Sequence, residues 1–433
     1  MGVSLAFPVA TKGARFGVAA LLFANVVINY MDRANLSVAG TAMGRELDLT
    51  TRQLGWVFSA FGWAYAVLQI PGGWLVDQVR PRLLYAGTLA AWSVATVLQG
   101  LAGTLAALIG LRLATGACEA PAYPINNRVV TAWFPAEERA SAIAFYTAGQ
   151  FVGLAFLQPV MAAVQRHHGW RGLFVFTGLI GIGWAFVWYL LYRDPAPPGS
   201  AGASSVRHTI SRNEPTRGRS PSADRRLLAP LREACRHRQL WGVYLGQFAV
   251  ASTLWFFLTW FPTYLEQYRG FTGASAGWLR SVPFLAAFAG IMTSGLLSDF
   301  LVRRGVSAGV ARKAPVIAGL LLSTAIVGAN FVTGRAPVIF FLSVAFFGNG
   351  LASITWVFIS LMAPRHLLGL TGGIFNFCGN LSSVVVPVVI GYLVSGGSFA
   401  PALVFIAAIA GGGICSYLFL VGEVGPVDAP APP

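Results

Sequence analysis

Charged residues are scarce in this chain. Of its 433 residues only 10% are Asp, Glu, Lys or Arg, whereas soluble domains carry about 25%. Hydrophobic residues make up 56% of the sequence and form unbroken runs such as 175–191 and 402–421. The strands of a membrane β-barrel alternate apolar and polar residues, so these runs exclude a barrel. The composition therefore predicts an all-α polytopic membrane protein.

Residues that form disulfides or bind metals are also few. The four cysteines lie far apart without a C-x-x-C motif, and the five histidines include one adjacent pair, 167–168. We therefore expect no disulfide, no metal and no cofactor. A membrane-embedded enzyme would need a nucleophile with its base or a metal cluster. No such set of His, Asp, Ser or Cys falls within the predicted helices, and we expect no enzyme.

Stretches of about 20 mostly apolar residues, the length that crosses a bilayer, occur twelve times. The predicted transmembrane helices are 16–38, 54–76, 83–103, 105–130, 141–164, 171–193, 239–265, 276–302, 314–332, 337–362, 368–395 and 400–421. Segment 194–238 is rich in Pro, Ser, Gly and Arg, a composition typical of a disordered linker. It separates an N-terminal six-helix bundle, 1–193, from a C-terminal one, 239–433.

The basic residues are distributed unevenly between the two sides of the predicted bundle. With a cytoplasmic N-terminus, 21 of the 30 Lys and Arg residues fall in cytoplasmic segments, 7 in the opposite loops and 2 within helices. This distribution follows the positive-inside rule. It predicts that both termini and the 194–238 linker are cytoplasmic. Topology thus explains the net charge of +15, and we expect no nucleic-acid partner.

Two patterns recur in both halves. Helices 2 and 8 each end in Gly-x-x-x-Asp before basic residues, at Asp77 with Arg80 and at Asp299 with Arg303. On helices 5 and 11, Phe145-x-x-x-Gly149-Gln150 matches Phe375-x-x-x-Gly379-Asn380 at a constant shift of 230. Duplicated halves are typical of transporters with a site near the membrane midplane. The acids at the helix ends, with Arg80, predict a gating or structural role at the cytoplasmic face.

Two acids lie deeper within the helices. A charge at the bilayer centre costs about 2.5–3.5 kcal/mol on insertion scales, so such residues mark ion pathways or relays. Asp32 and Glu119 are therefore predicted to be proton-coupling sites, and the alternative is that each only neutralises an arginine. Arg112 and Glu119 are seven residues apart, close to two helical turns, and share one face of helix 4. We expect that face to line a cavity.

Several segments of the sequence resemble a known protein family. The six-plus-six arrangement and the loop 72–82 resemble the major facilitator superfamily, and segments 29–37 and 112–124 resemble its anion:cation symporters, which carry organic anions with protons or other cations. Stretches 246–262 and 347–356 are similar to bacterial D-galactonate transporters. The resemblance implies a proton-coupled symporter that imports a sugar-acid anion, above all D-galactonate, by alternating access. We expect a monomer in the lipid bilayer of the bacterial inner membrane.

A guanidinium offers a planar fork of donors that binds a carboxylate through two hydrogen bonds. Either Arg33 or Arg112 could bind the substrate while the other pairs with an acid. The resemblance ties both positions to anion binding or gating, and we favour Arg33 as the substrate ligand. Neutral polar residues would bind hydroxyls, although interhelical hydrogen bonding is an alternative role. By resemblance these residues are Tyr65, Gln150, Ser353, Thr355, Trp356 and Asn376, with Asn380 as an additional contact.

Several alternatives stay open from the sequence alone. Sodium coupling is one, because carboxylates and carbonyls also bind hard cations, and another substrate such as glucarate, a hexuronate or a different carboxylate is a second. A channel would not need two buried acids, and a sensor normally adds a folded soluble domain, so both are less favoured. The aromatic run 255–264 on helix 7 predicts either an outer gate or an interfacial belt with packing contacts.

Overall fold

The computed structural model describes residues 12–195, 232–271, 274–364 and 367–425, and these ranges contain helices without strands. The long helices are α1 Lys12–Glu46, α2 Thr51–Gln78, α3 Pro81–Gln99, α4 Leu105–Glu119, α5 Ala122–Trp133, α6 Ala136–Leu191, α7 Arg238–Thr259, α8 Ala274–Arg303, α9 Ala308–Ser323, α10 Arg335–Ala352, α11 Trp356–Met362, α12 Leu368–Leu393 and α13 Ala400–Cys415. Short segments extend or join them: Phe261–Thr263, Tyr264–Tyr268, Thr324–Asn330, Ser353–Thr355, Val394–Gly396 and Ser416–Leu420.

The helices in the described part of the chain make twelve passes. Nine helices of the described residues are long and apolar enough to cross a membrane. One of them, Phe145–Leu191, spans 47 residues and contains two passes, because Gly169 takes φ 70° and bends the chain within α6. With α2 and α3 the total is twelve, which confirms the predicted all-α polytopic membrane fold. Most of the basic linker 194–238 lies outside the described residues.

Three predicted helices differ in detail from the structure. The fifth and sixth are joined across the bend at Gly169. The fourth, predicted as continuous over 105–130, is divided between Glu119 and Ala122, because Pro121 lacks an N–H and cannot continue the hydrogen-bond ladder. The tenth is interrupted by the tighter turn Ser353–Thr355 between α10 and α11.

Successive passes are antiparallel, so the connections fall on two faces. The linker face carries residues 79–80, 134–135, 192–195 and 304–307, and the far face carries 47–50, 100–104, 331–334 and 397–399. An ion pair joins passes at each face: Arg15 lies 2.7 Å from Glu138 at the linker face, and Arg171 lies 3.0 Å from Glu46 at the far face.

Helices α1–α6 pack mainly with one another, as do α7–α13, and the two groups meet most closely near the far face along α2 and α12. Small residues permit this contact. A Cβ on Gly55 would lie 2.6 Å from the carbonyl oxygen of Pro387, and one on Gly62 would overlap the side chain of Ser383. The backbones are therefore packed too closely for larger side chains at these two positions.

Aromatic side chains fill the space beside this contact. The indole of Trp260 donates a hydrogen bond of 3.1 Å to the carbonyl of Pro387, and its ring lies edge-on to Phe58 at 5.2 Å. The six aromatic residues of the helix 7 run are all buried, and an interfacial belt is therefore wrong for them: Trp255, Phe256, Phe257, Trp260, Phe261 and Tyr264. The molecule is thus closed at the far face.

Candidate functional site

A cavity lies between the two helix groups, on the linker-face side of the aromatic closure. Its larger region has a volume of about 770 Å³ and reaches Leu370, near the start of α12 at the linker face. The polar and aromatic residues that line the larger region are Tyr30, Arg33, Tyr65, Gln69, Tyr123, Asn127, Trp356, Asn376, Phe377 and Asn380. Both helix groups therefore contribute polar side chains to this region.

A smaller region of about 440 Å³ adjoins the first. Tyr30, Tyr123 and Trp356 line both regions, so the two form one continuous site. The other polar residues of the smaller region are Thr147, Gln150, Gln247, Asn349, Ser353 and Thr355. A ligand long enough to pass the three shared aromatic residues would contact both regions at once.

Arg33 and Glu119 form the charged centre of the site. The Arg33 Nε donates a hydrogen bond of 2.6 Å to Glu119 Oε1, and the Nη2 atom lies 2.5 Å from the same oxygen. The Glu119 side chain is fully buried and that of Arg33 is 6% exposed. When one partner of such a pair is removed or neutralised, the other charge stays buried and unpaired. The folded protein is then strongly destabilised. Arg33, however, also lines the larger region.

Aromatic rings surround the Arg33 guanidinium. Its central carbon lies 5.0 Å from the ring centre of Tyr30, 5.0 Å from that of Phe61 and 4.8 Å from that of Tyr65. Arg112 lies 5.1 Å from the same Phe61 ring. The negative face of an aromatic ring stabilises a cation. Phe61 therefore helps to hold two buried guanidinium groups near one another.

Asp32 points away from Arg33, as expected for neighbours on a helix. The Trp92 indole donates a hydrogen bond of 3.1 Å to Asp32 Oδ2, while Oδ1 is buried without a hydrogen-bond partner. The residue is 1% exposed and lies against α3. Asp32 therefore has an unused acceptor in a site that excludes bulk solvent.

The prediction that Arg112 and Glu119 line the cavity is wrong, although Tyr123 and Asn127, later in the predicted helix 4, do line it. Arg112 and Glu119 are both buried, and neither is among the described residues that line the two regions. Arg33 pairs with Glu119 and Phe61 covers Arg112, so α1 and α2 separate both residues from the cavity. Any effect of Glu119 on a ligand would therefore act through Arg33.

The structure places the neutral residues of the sequence prediction around the cavity. Tyr65, Trp356, Asn376 and Asn380 line the larger region, and Gln150, Ser353, Thr355 and Trp356 line the smaller one. Two hydrogen bonds order them: Asn376 Nδ2 donates to Gln69 Oε1 at 2.9 Å, and Thr355 Oγ1 donates to Gln247 Oε1 at 2.7 Å. The first bond joins the two helix groups across the cavity.

Three predicted gate residues lie at the linker face. The side chains of Asp77 and Asp299 lie outside the described part of the structure. Arg80 is exposed and lines a small surface cleft with Arg82 and Asp194.

Among the residues that the structure describes, no group of three His, Cys, Asp or Glu side chains could hold a metal ion.

Seven polar residues of the cavity are not among the predicted site residues: Tyr30, Gln69, Tyr123, Asn127, Thr147, Gln247 and Asn349. Tyr30 lies three residues before Arg33 and hence on the same helix face, a spacing that could have identified it. For Gln247 and Asn349 the only sequence signal is an amide within an apolar helix. That signal alone does not separate a cavity residue from one that bonds between helices.

Comparisons with known proteins agree with this architecture. The major facilitator superfamily model matches residues 22–387. The chain is 50% identical to a D-galactonate transporter from Escherichia coli O6:H1, covering 95% of this chain and 96% of that protein. It is 38% identical to a probable galactarate/D-glucarate transporter from Escherichia coli strain K12, covering 95% of each chain.

Solved structures share the fold. A bacterial homolog of the human lysosomal transporter Spinster, inward-facing and occupied, has a TM-score of 0.68 and 20% identity, covering 95% of this chain and 96% of that one. A point mutant of the nucleoside transporter NupG has a TM-score of 0.69 and 12% identity, covering 94% and 99%. The chain is a multi-pass membrane transporter rather than an enzyme. It belongs to the major facilitator superfamily.

Proposed function

We propose that the protein imports a sugar-acid anion, most closely D-galactonate, together with protons. The observation that carries this proposal is the Arg33–Glu119 pair, in which a cavity-lining guanidinium is held by a fully buried carboxylate. The 50% identical relative named as a D-galactonate transporter supports the choice of substrate.

Protonation of Glu119 would free Arg33 for the substrate. The four buried charges, Arg33, Arg112, Asp32 and Glu119, sum to zero when both acids are ionised. One proton leaves a net positive charge, which a sugar-acid monoanion neutralises. The released guanidinium then binds the substrate carboxylate through two hydrogen bonds. Asp32 is the second proposed proton site, and its unpartnered Oδ1 is the available oxygen.

The neutral residues would bind the hydroxyl groups of the sugar acid. Buried hydroxyls and amides need hydrogen-bond partners, and a polyol supplies several along its length. The proposed hydroxyl ligands are Tyr65, Gln150, Ser353, Thr355, Trp356 and Asn376, with Asn380 as a further contact. These residues lie in both helix groups, so a bound substrate would draw the two groups together.

Transport would proceed by alternating access. The segments 1–193 and 239–433 would rock against each other about the cavity, with Asp77, Arg80 and Asp299 as gate residues. The structure, closed at the far face, then corresponds to the state open towards the linker face. Each net positive charge moved inward across an inside-negative membrane gains about 2.3 kcal/mol per 100 mV, and each proton gains about 1.36 kcal/mol per pH unit.

Substitution of Gly62 by leucine should slow transport. The new side chain would overlap Ser383 and so destabilise the state closed at the far face. Overpacking costs about 1–3 kcal/mol, so uptake should fall roughly tenfold or more. Gly87→Leu is the matched control, because Gly87 is exposed with no atom near its Cβ position. Uptake by a folded Gly62→Leu protein at the parental rate would contradict the proposed closure.

The orientation proposed is an inner-membrane protein with both termini and the linker in the cytoplasm. In a protein whose four cysteines are replaced by serine, Ser395→Cys on the exposed far face should react with an impermeant thiol reagent added to intact cells. Ser204→Cys in the linker should react only after the membrane is opened. Labelling of the linker cysteine in intact cells would show that the orientation is the opposite of the one proposed.

Uptake into proteoliposomes tests the function as a whole. Labelled D-galactonate, D-glucarate and a hexuronate should each be offered under an imposed pH gradient and, separately, a sodium gradient. We expect D-galactonate to accumulate under the pH gradient alone. Accumulation only with sodium would establish the alternative coupling ion. The relatives named as probable galactarate/D-glucarate transporters make a dicarboxylate the second candidate substrate.

A further inference from the structure

Positive charge is confined to one region of the cavity. Of the described residues that line the two regions, Arg33 alone is charged, and it belongs to the larger one. The lining residues of the smaller region supply only neutral polar groups. A carboxylate placed in the smaller region would therefore be desolvated without a lining cation to pair with it, an arrangement that is strongly unfavourable.

Asn349 adds a specific preference to the smaller region. The residue is 5% exposed and lines the region, and its Oδ1 atom is buried without a hydrogen-bond partner. An amide oxygen can only accept hydrogen bonds. A hydroxyl can donate to it, whereas an ionised carboxylate has no hydrogen to donate. The unpartnered oxygen therefore favours a hydroxyl over a carboxylate.

Gln247 supplies the complementary group. Its Oε1 accepts the hydrogen bond from Thr355 on the turn between α10 and α11. Its amide packs over Gly379 of α12, where a Cβ would lie 3.1 Å from Nε2 and 3.0 Å from Cγ. These contacts fix the side chain, use one of the two lone pairs of its carbonyl oxygen and leave its amide hydrogens as donors. Gln247 and Asn349 both line the smaller region, so the region offers a neutral donor and a neutral acceptor, and a hydroxyl can bond to either kind of group.

We propose that the smaller region is a hydroxyl subsite that admits the uncharged end of an aldonate, a sugar acid with one carboxylate. It rejects the second carboxylate of an aldarate, a sugar acid with two. Asn349 and Gln247 are the residues that determine this specificity. The inference rests on the proposed function, in which Arg33 holds the first carboxylate. It assigns the chain to aldonate rather than aldarate transport.

A counterflow experiment with competing substrates measures the preference for D-galactonate over galactarate, and it does not depend on proton coupling. Proteoliposomes loaded with unlabelled D-galactonate take up labelled D-galactonate in the presence of external D-galactonate or galactarate. In the parental protein, galactarate should compete at least tenfold more weakly. The measured quantity is the ratio of the galactarate concentration to the D-galactonate concentration that halves labelled uptake. Asn349→Lys places an ammonium group in the smaller region and should lower this ratio at least tenfold. Ser395→Lys adds the same charge on the exposed far face and should leave the ratio unchanged.

Gln247→Lys is a second charge-adding variant should Asn349→Lys fail to fold, as judged by size exclusion and thermal unfolding. Equal competition by the two acids in the parental protein would overturn the subsite, as would an unchanged ratio in a folded lysine variant. A parental protein that exchanges neither acid would instead refute the proposed function. The two failures are therefore distinguishable.

Discussion

Glu119→Gln should bind D-galactonate at least as tightly as the parental protein and should lose accumulation driven by a pH gradient. Glutamine resembles the protonated acid in shape and cannot form the ion pair with Arg33, which would be free to bind the substrate. The proton-carrying group is removed at the same time. Calorimetric titration measures binding, and uphill uptake into proteoliposomes measures coupling.

The matched control is Glu138→Gln. Glu138 also pairs with an arginine, Arg15, at 2.7 Å, but its side chain is 48% exposed at the linker face. An exposed ion pair contributes about 0–1 kcal/mol, so both binding and accumulation should stay near the parental level. A folded Glu119→Gln protein that accumulates D-galactonate as well as the parental protein would refute the role of Glu119 in coupling.

Arg33→Lys should weaken D-galactonate binding roughly 10- to 100-fold, since a hydrogen bond to a charged group contributes about 1.5–3 kcal/mol. Lysine keeps the charge but replaces the planar fork with a single ammonium group, which cannot bind a carboxylate through two parallel bonds. It also loses the stacking of the guanidinium on Tyr30, Phe61 and Tyr65. Calorimetric titration of the purified protein gives the affinity.

Arg112→Lys is the control for this experiment. Arg112 is equally buried and also lies over Phe61, but it is not among the described residues that line the cavity. Its substitution should weaken binding much less than Arg33→Lys. Equal losses in both variants would mean that the loss reflects the shared packing around Phe61, and unchanged binding in Arg33→Lys would assign Arg33 to a structural pair.

Local sequence patterns were sufficient to predict the helices. The length of an apolar run determines whether it can cross the bilayer, and this property is independent of the rest of the chain. Helix interruptions are harder to predict. Pro121 divides the fourth helix and Gly169 bends the chain between two passes, whereas prolines such as Pro159 lie within a continuous helix. Packing against neighbouring helices decides between these outcomes.

The charged centre was predictable in its members but not in its pairing. Arg33, Asp32 and Glu119 stand out because charges within apolar helices are costly. The partner of each depends on how α1, α3 and α4 pack, and Arg33 is 86 residues from Glu119. The spacing of Arg112 and Glu119 correctly placed both on one face of α4, but helical periodicity alone does not show that this face is covered.

Simultaneous measurement of substrate and proton movement tests the central proposal most directly. Proteoliposomes with no initial ion gradient and a pH-sensitive dye inside receive external labelled D-galactonate in sodium-free buffer, with the membrane potential clamped. We expect labelled substrate and protons to enter together, so that the interior acidifies in the parental protein and not in protein-free vesicles. Entry of labelled D-galactonate with no change in internal pH would contradict proton-coupled transport.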